Sequence, residues 1–424
     1  MLEKIEGGVT AAAGFEASSA AAGIKYQNRT DMALIYSKRP CTVAGTFTTN
    51  VVKAAPVIWD RELVQSGRAA HAVIVNSGVA NACTGQQGLD YCRETAQAAA
   101  RALHIPEDSV LVGSTGVIGM HLPMDRIVKG VKMLAKAKEA SVEAGTAAAK
   151  AIMTTDTHKK EIAYAFDLPG ERHPITLERE GLEAKDYRIT VGGMSKGSGM
   201  IHPNMCTMLA YITTDIAIDQ KLLQKAVSEI VTDTFNMISV DGDTSTNDTL
   251  LVLANGAAGN PVIDHEGPAY EAFKLVLGMI CEHLAKEMAG DGEGATRLIE
   301  SVVTGADTKE NARILAKSVI CSNLTKAAVF GKDANWGRIL CALGYSGVSF
   351  DPEKVNLYFK SDNKKLLIFT AGSGADFSEE EATELLSGEK VTILAEMNMG
   401  TEKATAWGCD LTYDYVKINA DYRS

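Results

Sequence analysis

The sequence predicts an α/β protein built as an α+β layered sandwich. Short apolar runs rich in β-branched residues alternate with longer amphipathic segments along the 424 residues, a pattern typical of α/β folds. Hydrophobic residues make up 46% of the chain and charged residues 22%, as in ordinary globular proteins. A chain of this length can bury a large core, so we expect two lobes or one wide layered domain.

Strands are predicted wherever a short apolar run is rich in β-branched or aromatic residues. From about residue 350 the pattern is strand, strand, helix, strand, strand, which predicts a small α/β C-terminal lobe over residues 350–424. The predicted strands are 71–76, 109–113, 187–193, 207–218, 250–255, 355–360, 366–370, 391–395 and 410–416.

Helices are predicted where apolar residues recur with helical spacing. The segment that begins at Asp219 has a capping carboxylate followed by apolar residues at 222, 223, 226, 227, 230 and 231, all on one face. The charged segment 168–187 contains two prolines and is predicted to be a surface excursion. The predicted helices begin near Tyr91, Pro123, Asp219, Pro268, Thr308 and Ser378.

Charge and composition argue against several classes of partner. The net charge is −11 and there is no basic block, so we expect neither nucleic acid nor anionic membranes as partners. No run approaches the ~20 apolar residues of a membrane helix, and the N-terminus is not of the secretory type. The eight cysteines form no CxxC pair, which indicates neither zinc nor disulfides and favours a reducing, cytoplasmic location.

The Cys206–Thr207 bond is the first candidate for chemistry. It follows a segment with Gly197, Gly199 and Pro203 and precedes an apolar run, so a strained turn is expected to lead into a buried strand. A threonine at a chain's N-terminus has its own α-amino group as base, with a pKa of about 7.7–8.0. Cleavage before Thr207 would therefore create a nucleophile and its base together, although the pattern alone favours an ordinary first residue of a buried strand.

Two other motifs offer alternative sites for chemistry. The run "GMSKG" (193–197) matches the G-x-S-x-G nucleophile motif, with Ser195 as the serine, but glycines and a proline oppose the helix that the motif requires. In "DGDTSTNDT" (241–249), Asp241, Asp243 and Asn247 have calcium-like spacing without the terminal glutamate of a calcium loop. We therefore expect turn chemistry there and no metal site.

Eight motifs, in order along essentially the whole chain, resemble the ornithine acetyltransferase family, the bifunctional acetyltransferases of arginine biosynthesis. Any one of them is weak evidence, but eight in sequence are specific. They are "NSGVANACTG" (76–85), "GSTGVIG" (113–119), "IMTTDT" (152–157), "KGSGMIHPNMCTMLAYITTD" (196–215), "DGDTSTNDT" (241–249), "GDGEGATR" (290–297), "GKDANWGRI" (331–339) and "AWGCDLTYDYVKINADYRS" (406–424).

The resemblance implies a self-cleaving fold of the N-terminal-nucleophile type. Cleavage would give an α chain of residues 1–206 and a β chain of residues 207–424, assembled as two α and two β chains. By position, Thr207 would carry the acetyl group, and Thr115 with Gly116 would stabilise the oxyanion. The implied substrate-binding residues are Thr154 or Thr155, Lys196, Thr207, Glu293, Asn419 and Ser424.

This chain departs from the family pattern at three positions. Cys206 stands where alanine is commonest before the nucleophile, and Ser195 stands where alanine is also frequent. Ser424 replaces the more usual threonine while keeping a hydroxyl. "GKDANWGRI" is expected near the site, but the sequence assigns no step to Asp333 or Asn335.

The implied activity is that of a glutamate N-acetyltransferase, also called ornithine acetyltransferase. N-acetylornithine would acetylate Thr207 and glutamate would then take the acetyl group, in a ping-pong reaction without metal or cofactor. The sequence does not decide whether acetyl-CoA is also a donor, which would add amino-acid N-acetyltransferase activity. The alternatives are a self-cleaving aminopeptidase or amidase of the same fold, and a non-catalytic amino-acid-binding protein that stays uncut.

Overall fold

The computed structural model describes residues 1–168, 186–202 and 208–421. Within these ranges the strands, in chain order, are β1 (Leu2–Ile5), β2 (Phe15–Ala20), β3 (Met32–Phe47), β4 (Ala70–Asn76), β5 (Val110–Ser114), β6 (Lys160–Leu168), β7 (Tyr187–Lys196), β8 (Leu209–Thr214), β9 (Ile238–Ser239), β10 (Thr249–Ala254), β11 (Leu298–Ala306), β12 (Asn356–Lys360), β13 (Lys365–Thr370), β14 (Ser373–Gly374), β15 (Lys390–Glu396) and β16 (Glu402–Cys409).

The α-helices of the same ranges are α1 (Ala55–Gln65), α2 (Gly85–Leu103), α3 (Met124–Ala137), α4 (Val142–Ala151), α5 (Gln220–Asp233), α6 (Pro268–Gly290), α7 (Lys309–Cys321), α8 (Asn323–Phe330), α9 (Trp336–Gly344), α10 (Glu379–Leu386) and α11 (Tyr413–Ala420). Short 3₁₀ turns lie at Glu107–Ser109, Phe235–Met237 and Pro352–Lys354.

The first β-sheet carries the elements that surround the predicted cleavage site. Its strand order is β1-β6-β7-β8-β10-β3-β4-β5, and β2 pairs with β3 beside this path. Strand β8, which begins two residues after Thr207, is antiparallel to β7 and parallel to β10. All six residues of β8 are buried, so the chain that follows residue 207 is fixed on both edges and both faces.

A second sheet has the order β14-β13-β12-β15-β11-β16-β9. Strands β12 to β16 come from the C-terminal segment, but β9 and β11 lie before residue 350. The segment 350–424 therefore completes a sheet that it does not form alone, and its status as a separate lobe stays a prediction.

Helix α6 joins the two sheets into one hydrophobic core. It packs on β6 and β7 of the first sheet and on β11 and β16 of the second. Its buried side chains include Phe273, Leu277, Ile280 and Leu284, which spread around much of the helix because both sides are covered. This helix between two sheets, with further helices on the outside, confirms the predicted layered α/β class.

Several predicted helix starts are confirmed by their caps. The Asp219 carboxylate accepts hydrogen bonds from the amides of Lys221 and Leu222, and residues 223, 226, 227, 230 and 231 of α5 are buried as predicted. The side chains of Thr308 and Ser378 cap α7 and α10 in the same way. Each cap satisfies amides that the first helical turn leaves without partners.

Other predictions were wrong or incomplete. Residues 410–416 were predicted as a strand, but α11 begins at Tyr413 and buries none of its residues. The helix predicted near Tyr91 begins at Gly85. The sequence pattern did not predict strands β1, β2, β3, β6, β9, β11, β14 and β16 or helices α1, α4, α8 and α9.

The predicted surface excursion (168–187) lies almost wholly outside the described residues, as does the beginning of the predicted strand 207–218. Among the described helices, none combines the length and the apolar character needed to span a bilayer.

Candidate active site

A cavity of about 290 Å³ opens where β5 and β7 end and β8 begins. Its wall includes Met208, the residue directly after Thr207. Thr207 itself, Cys206 and Ser424 lie outside the described residues. The cavity brings together all the other predicted site residues, which are Thr115, Gly116, Thr154, Thr155, Lys196, Glu293 and Asn419.

The turn after β5 holds one backbone amide free. The Thr115 amide donates to the Asn76 carbonyl (3.0 Å) and the Val117 amide donates to the Gly78 carbonyl (3.1 Å). Gly116, between them, has a φ of 130°, and a Cβ there would lie 2.2 Å from the Gly78 carbonyl carbon, so only glycine fits. Among the described residues the Gly116 amide has no hydrogen-bond partner, so it can donate into the cavity.

Lys196, at the end of β7, reaches the same turn. Its Nζ lies 3.4 Å from the Thr115 hydroxyl oxygen and 4.0 Å from a carboxylate oxygen of Asp156. The side chain is buried, and desolvation lowers the pKa of Lys196 even though Asp156 opposes this shift. Because the ammonium donates to the Thr115 oxygen, the Thr115 O–H hydrogen points away from it and is available as a donor.

Asp156 connects two of the segments that line the cavity. Its carboxylate accepts from the amides of Gly197 (2.7 Å) and Thr154 (3.0 Å) and pairs with Lys160 (2.7 Å). Lys160 also pairs with Asp291 (2.5 Å). Burial acts to raise the pKa of Asp156, but the two lysines and the hydrogen bonds outweigh it and keep this pKa below its usual range.

The two candidate threonines have different surroundings. The Thr155 hydroxyl is hydrogen-bonded to the Ser198 hydroxyl (2.7 Å). The Thr154 hydroxyl has no partner in the described part of the chain, and the Thr154 carbonyl accepts from Arg29 (3.1 Å). Both residues line the cavity.

Glu293 and Asn419 form a contact on the opposite wall. The Asn419 side-chain amide donates to a Glu293 carboxylate oxygen (2.7 Å), and the Glu293 amide donates to the Ser198 carbonyl (3.0 Å). A Cβ on Gly199 would lie 2.3 Å from this carboxylate, so the glycine turn allows Glu293 to face the cavity. Asn419 belongs to α11, so the mispredicted segment supplies a site residue from a helix.

The run 241–249 supplies two residues, Asn247 and Asp248, whose roles at the site the sequence interpretation missed. The Asn247 side chain donates to the carbonyls of Ala80 (2.6 Å) and Ser114 (2.8 Å), which ties the end of β5, just before the Thr115–Gly116 turn, to the loop that follows β4. Asp248 is fully buried beside the backbone amide of Met208, and burial raises the pKa of Asp248 well above its usual range. The only sequence signal for either was the acidic and amide-rich run itself.

Turn chemistry explains the remainder of that run, as predicted. The Asp241 carboxylate accepts from the amides of Ile201 (2.8 Å) and Asp243 (3.1 Å). Across the described ranges, no group of three or more histidine, cysteine or acidic side chains is arranged to hold a metal ion.

The structure agrees with the expectation that "GMSKG" does not form a nucleophile turn. Ser195 lies inside β7, fully buried, and the described chain beyond it continues as a strand and a glycine turn instead of a helix. Asp333 and Asn335 are not among the residues that line the cavity. The Asn335 side chain caps α9 by accepting from the Arg338 amide (3.1 Å).

Comparison with known proteins identifies the family. The family model described as "ArgJ family" matches residues 16–424. This chain belongs to the ArgJ family. It is 50% identical over the full length of both chains to the "Arginine biosynthesis bifunctional protein ArgJ" of Symbiobacterium thermophilum. It is 49% identical to "ArgJ 1" of Clostridium acetobutylicum, over 97% of this chain and 96% of that protein.

Among solved structures, the ornithine acetyltransferase of Mycobacterium tuberculosis in complex with ornithine is 40% identical. That match covers 48% of this chain and all of the solved chain, with a TM-score of 0.41. Membership in the ArgJ family makes this protein an enzyme of arginine biosynthesis, as the sequence resemblance implied.

Proposed function

We propose that this ArgJ family enzyme transfers an acetyl group from N-acetylornithine to glutamate through an acetyl-Thr207 intermediate, after self-cleavage between Cys206 and Thr207. One observation carries the proposal. A single cavity, walled by the residue that follows Thr207, collects candidate side chains from segments that are far apart in the sequence.

The acetyl carbonyl of the donor would bind at the turn after β5. The Gly116 amide and the Thr115 hydroxyl are two donors with no other acceptor among residues 1–168, 186–202 and 208–421, and β5 and Asn247 hold their turn in place. Donors fixed before the reaction stabilise the negative charge that develops on the carbonyl oxygen without any reorganisation. The nearby Lys196 ammonium adds positive charge beside the same oxygen.

The amino-acid part of each substrate carries both a carboxylate and an ammonium group. Lys196 suits the carboxylate, while Glu293 with Asn419 suits the ammonium. Thr154 or Thr155, and Ser424 at the end of the chain, would supply hydroxyl contacts. The α-amino group of Thr207 would take the hydroxyl proton during attack and return it to the leaving amine, so no metal is needed.

Mass spectrometry tests the intermediate directly. After mixing with N-acetylornithine alone, the fragment that begins at Thr207 should carry one acetyl group, and glutamate should remove it. An unmodified fragment would rule out the ping-pong route. Free acetate in place of acetylglutamate would favour the amidase alternative.

A denaturing gel tests the cleavage. The wild-type protein should give two fragments, whereas Thr207→Ala should stay a single 45.1 kDa chain. Two fragments from Thr207→Ala would contradict cleavage at this bond, and uncut active protein would overturn the role of a free threonine amine. The assembly of two α and two β chains and the cytoplasmic location stay predictions, of which the first is tested by sedimentation of the cut protein.

A further inference from the structure

A second cavity, of about 200 Å³, adjoins the first on the far side of the Thr115–Gly116 turn. The two cavities share the lining residues Gly116, Val117, Thr154 and Thr155. The other walls come from the loop between β2 and β3, from Ser77 and Gly78, and from Ile418 of α11. A substrate bound at Gly116 can therefore contact both cavities.

Two cations line the second cavity without a carboxylate partner. Within the described ranges, neither Lys25 nor Arg29 forms a salt bridge, and both stand over the ring of Tyr26, at 4.7 and 5.7 Å from its centre. The third charged residue of the wall, Asp31, uses its two carboxylate oxygens for the amides of Ala22 (2.7 Å) and Ile24 (2.6 Å). The wall thus carries two positive charges and one negative charge, and the negative charge is already bound by backbone amides.

Arg29 is fixed in place and still has donors to offer. Its Nη2 donates to the carbonyls of Met153 (2.8 Å) and Thr154 (3.1 Å), whereas its Nη1 and Nε have no partner in the described chain. The Lys25 stem lies against Gly78, where a Cβ would be 3.1 Å from the Lys25 Cβ. The Gly78 carbonyl also accepts a hydrogen bond from the Val117 amide. Gly78 therefore contacts both the loop that carries Lys25 and the Thr115–Gly116 turn.

We propose that this second cavity is an anion subsite of the acetyl-transfer site, which binds a phosphate or carboxylate of a substrate whose acetyl carbonyl lies at Gly116. The proposal rests on the proposed function. The first cavity already offers one cation and one anion for the two charges of an amino-acid head group. A fixed guanidinium with an ammonium beside it is suited to a further anion, such as the phosphates of a coenzyme A thioester.

Binding measurements on the whole cleaved protein test the subsite. Calorimetric titrations would use coenzyme A, pantetheine, which lacks the phosphates, and N-acetylornithine, with wild type, Lys25→Glu and Lys25→Arg. Lys132→Glu, on the exposed face of α3, is the matched control because it makes the same charge change. Arg29 is left intact because it also positions Thr154, and melting curves confirm that each variant is folded.

Lys25→Glu should raise the Kd for the anionic ligand by about tenfold or more, Lys25→Arg should retain binding, and the Lys132→Glu control should match wild type. Weakened binding of coenzyme A but not of pantetheine assigns the subsite to phosphate, and weakened binding of N-acetylornithine alone assigns it to a carboxylate.

Three outcomes would overturn the proposal. Lys25→Glu could bind all three ligands as tightly as wild type does, or the wild-type protein could bind none of them. The third is that Lys25→Glu loses the same affinity for coenzyme A as for pantetheine. Binding does not depend on turnover, so a missing acetyl-Thr207 adduct would count against the proposed function alone.

Discussion

The Nζ of Lys160 lies 2.7 Å from the Oδ1 of Asp156, and solvent reaches neither side chain. The same carboxylate binds the amides of Thr154 and Gly197, so one buried ion pair sets the positions of two cavity walls. A buried pair of this kind contributes little net stability, but the loss of one partner leaves an uncompensated charge.

Replacing Asp156 by Asn should therefore destabilise the protein by about 3–5 kcal/mol, because Lys160 and Lys196 lose a buried counter-charge. Urea denaturation of the purified variant measures this change. The control is Asp167→Asn, whose carboxylate pairs at the surface with Arg188 and the N-terminal amine and should matter far less. If the two substitutions lowered the free energy of unfolding equally, the buried Asp156 carboxylate would contribute no more to stability than a surface carboxylate.

The alkaline limit of activity should depend on Lys196. Desolvation lowers its folded-state pKa, so the ammonium, and with it the proposed contact with the substrate carboxylate, is lost at a pH below the ordinary lysine value of about 10.4. The pH dependence of kcat/KM reports this ionisation in the free enzyme. In Lys196→Arg the alkaline limb should move to higher pH, since arginine stays charged. If the alkaline fall of kcat/KM stays at the same pH in Lys196→Arg, the ionisation that causes it belongs to another group.

Gly116→Ala should lower kcat by about 100-fold or more, because the added Cβ collides with the Gly78 backbone and displaces the free amide. Gly119→Ala is a fair control, since Gly119 also has a positive φ (83°) but an added Cβ there meets nothing within 4 Å. Steady-state kinetics of both variants separate the loss of this donor from general strain in the turn. Similar kcat values would remove the turn from the mechanism.

Glu293→Gln should raise the KM for N-acetylornithine by about 10- to 100-fold with a smaller change in kcat, because the proposed contact with the substrate ammonium loses its charge. The contact with Asn419 can persist, so the melting temperature should hardly change. Glu287→Gln, which removes a half-exposed carboxylate near His158, provides the comparison. A collapse of kcat at unchanged KM would instead place Glu293 in the chemical step.

Asp248→Asn should be tolerated, in contrast to Asp156→Asn. Burial raises the pKa of Asp248, so the folded protein binds a proton that the unfolded chain releases above about pH 4. Wild-type stability should therefore fall as the pH rises from about 4 toward the raised pKa, and the asparagine variant should lack this component. Denaturation curves at several pH values test the difference, and parallel pH profiles would contradict it.

The local elements near the site were largely predictable from the sequence. Short apolar runs rich in β-branched residues correctly predicted β4, β5, β7 and β10. Helix starts were predictable because a capping side chain bonds to amides only two or three residues away, as at Asp219, Thr308 and Ser378. Residues 410–416 misled because Leu411, Tyr413 and Tyr415 alternate as in a strand, while α11 is held by Asn419 and a distant glutamate.

Some residues of the site were predictable from local motifs, whereas others depend on packing between distant parts of the chain. Thr115, Lys196, Glu293 and Asn419 were named because their motifs resemble a known family, and the structure places them around one cavity. Asp156 and Asp248 could not be named, because their importance comes from burial and from partners such as Lys160 and Asp291. Those partners come close only when β6 and α6 pack together.

The order of strands in the first sheet has a consequence for a chain cut before Thr207. Strands β8 and β10, from the second fragment, lie between β7 and β3 of the first, so backbone ladders tie each fragment to the other on two sides. Separating the two fragments would break the backbone hydrogen bonds between β7 and β8 and between β10 and β3 at the same time. We therefore expect the two fragments to co-purify until the whole protein denatures.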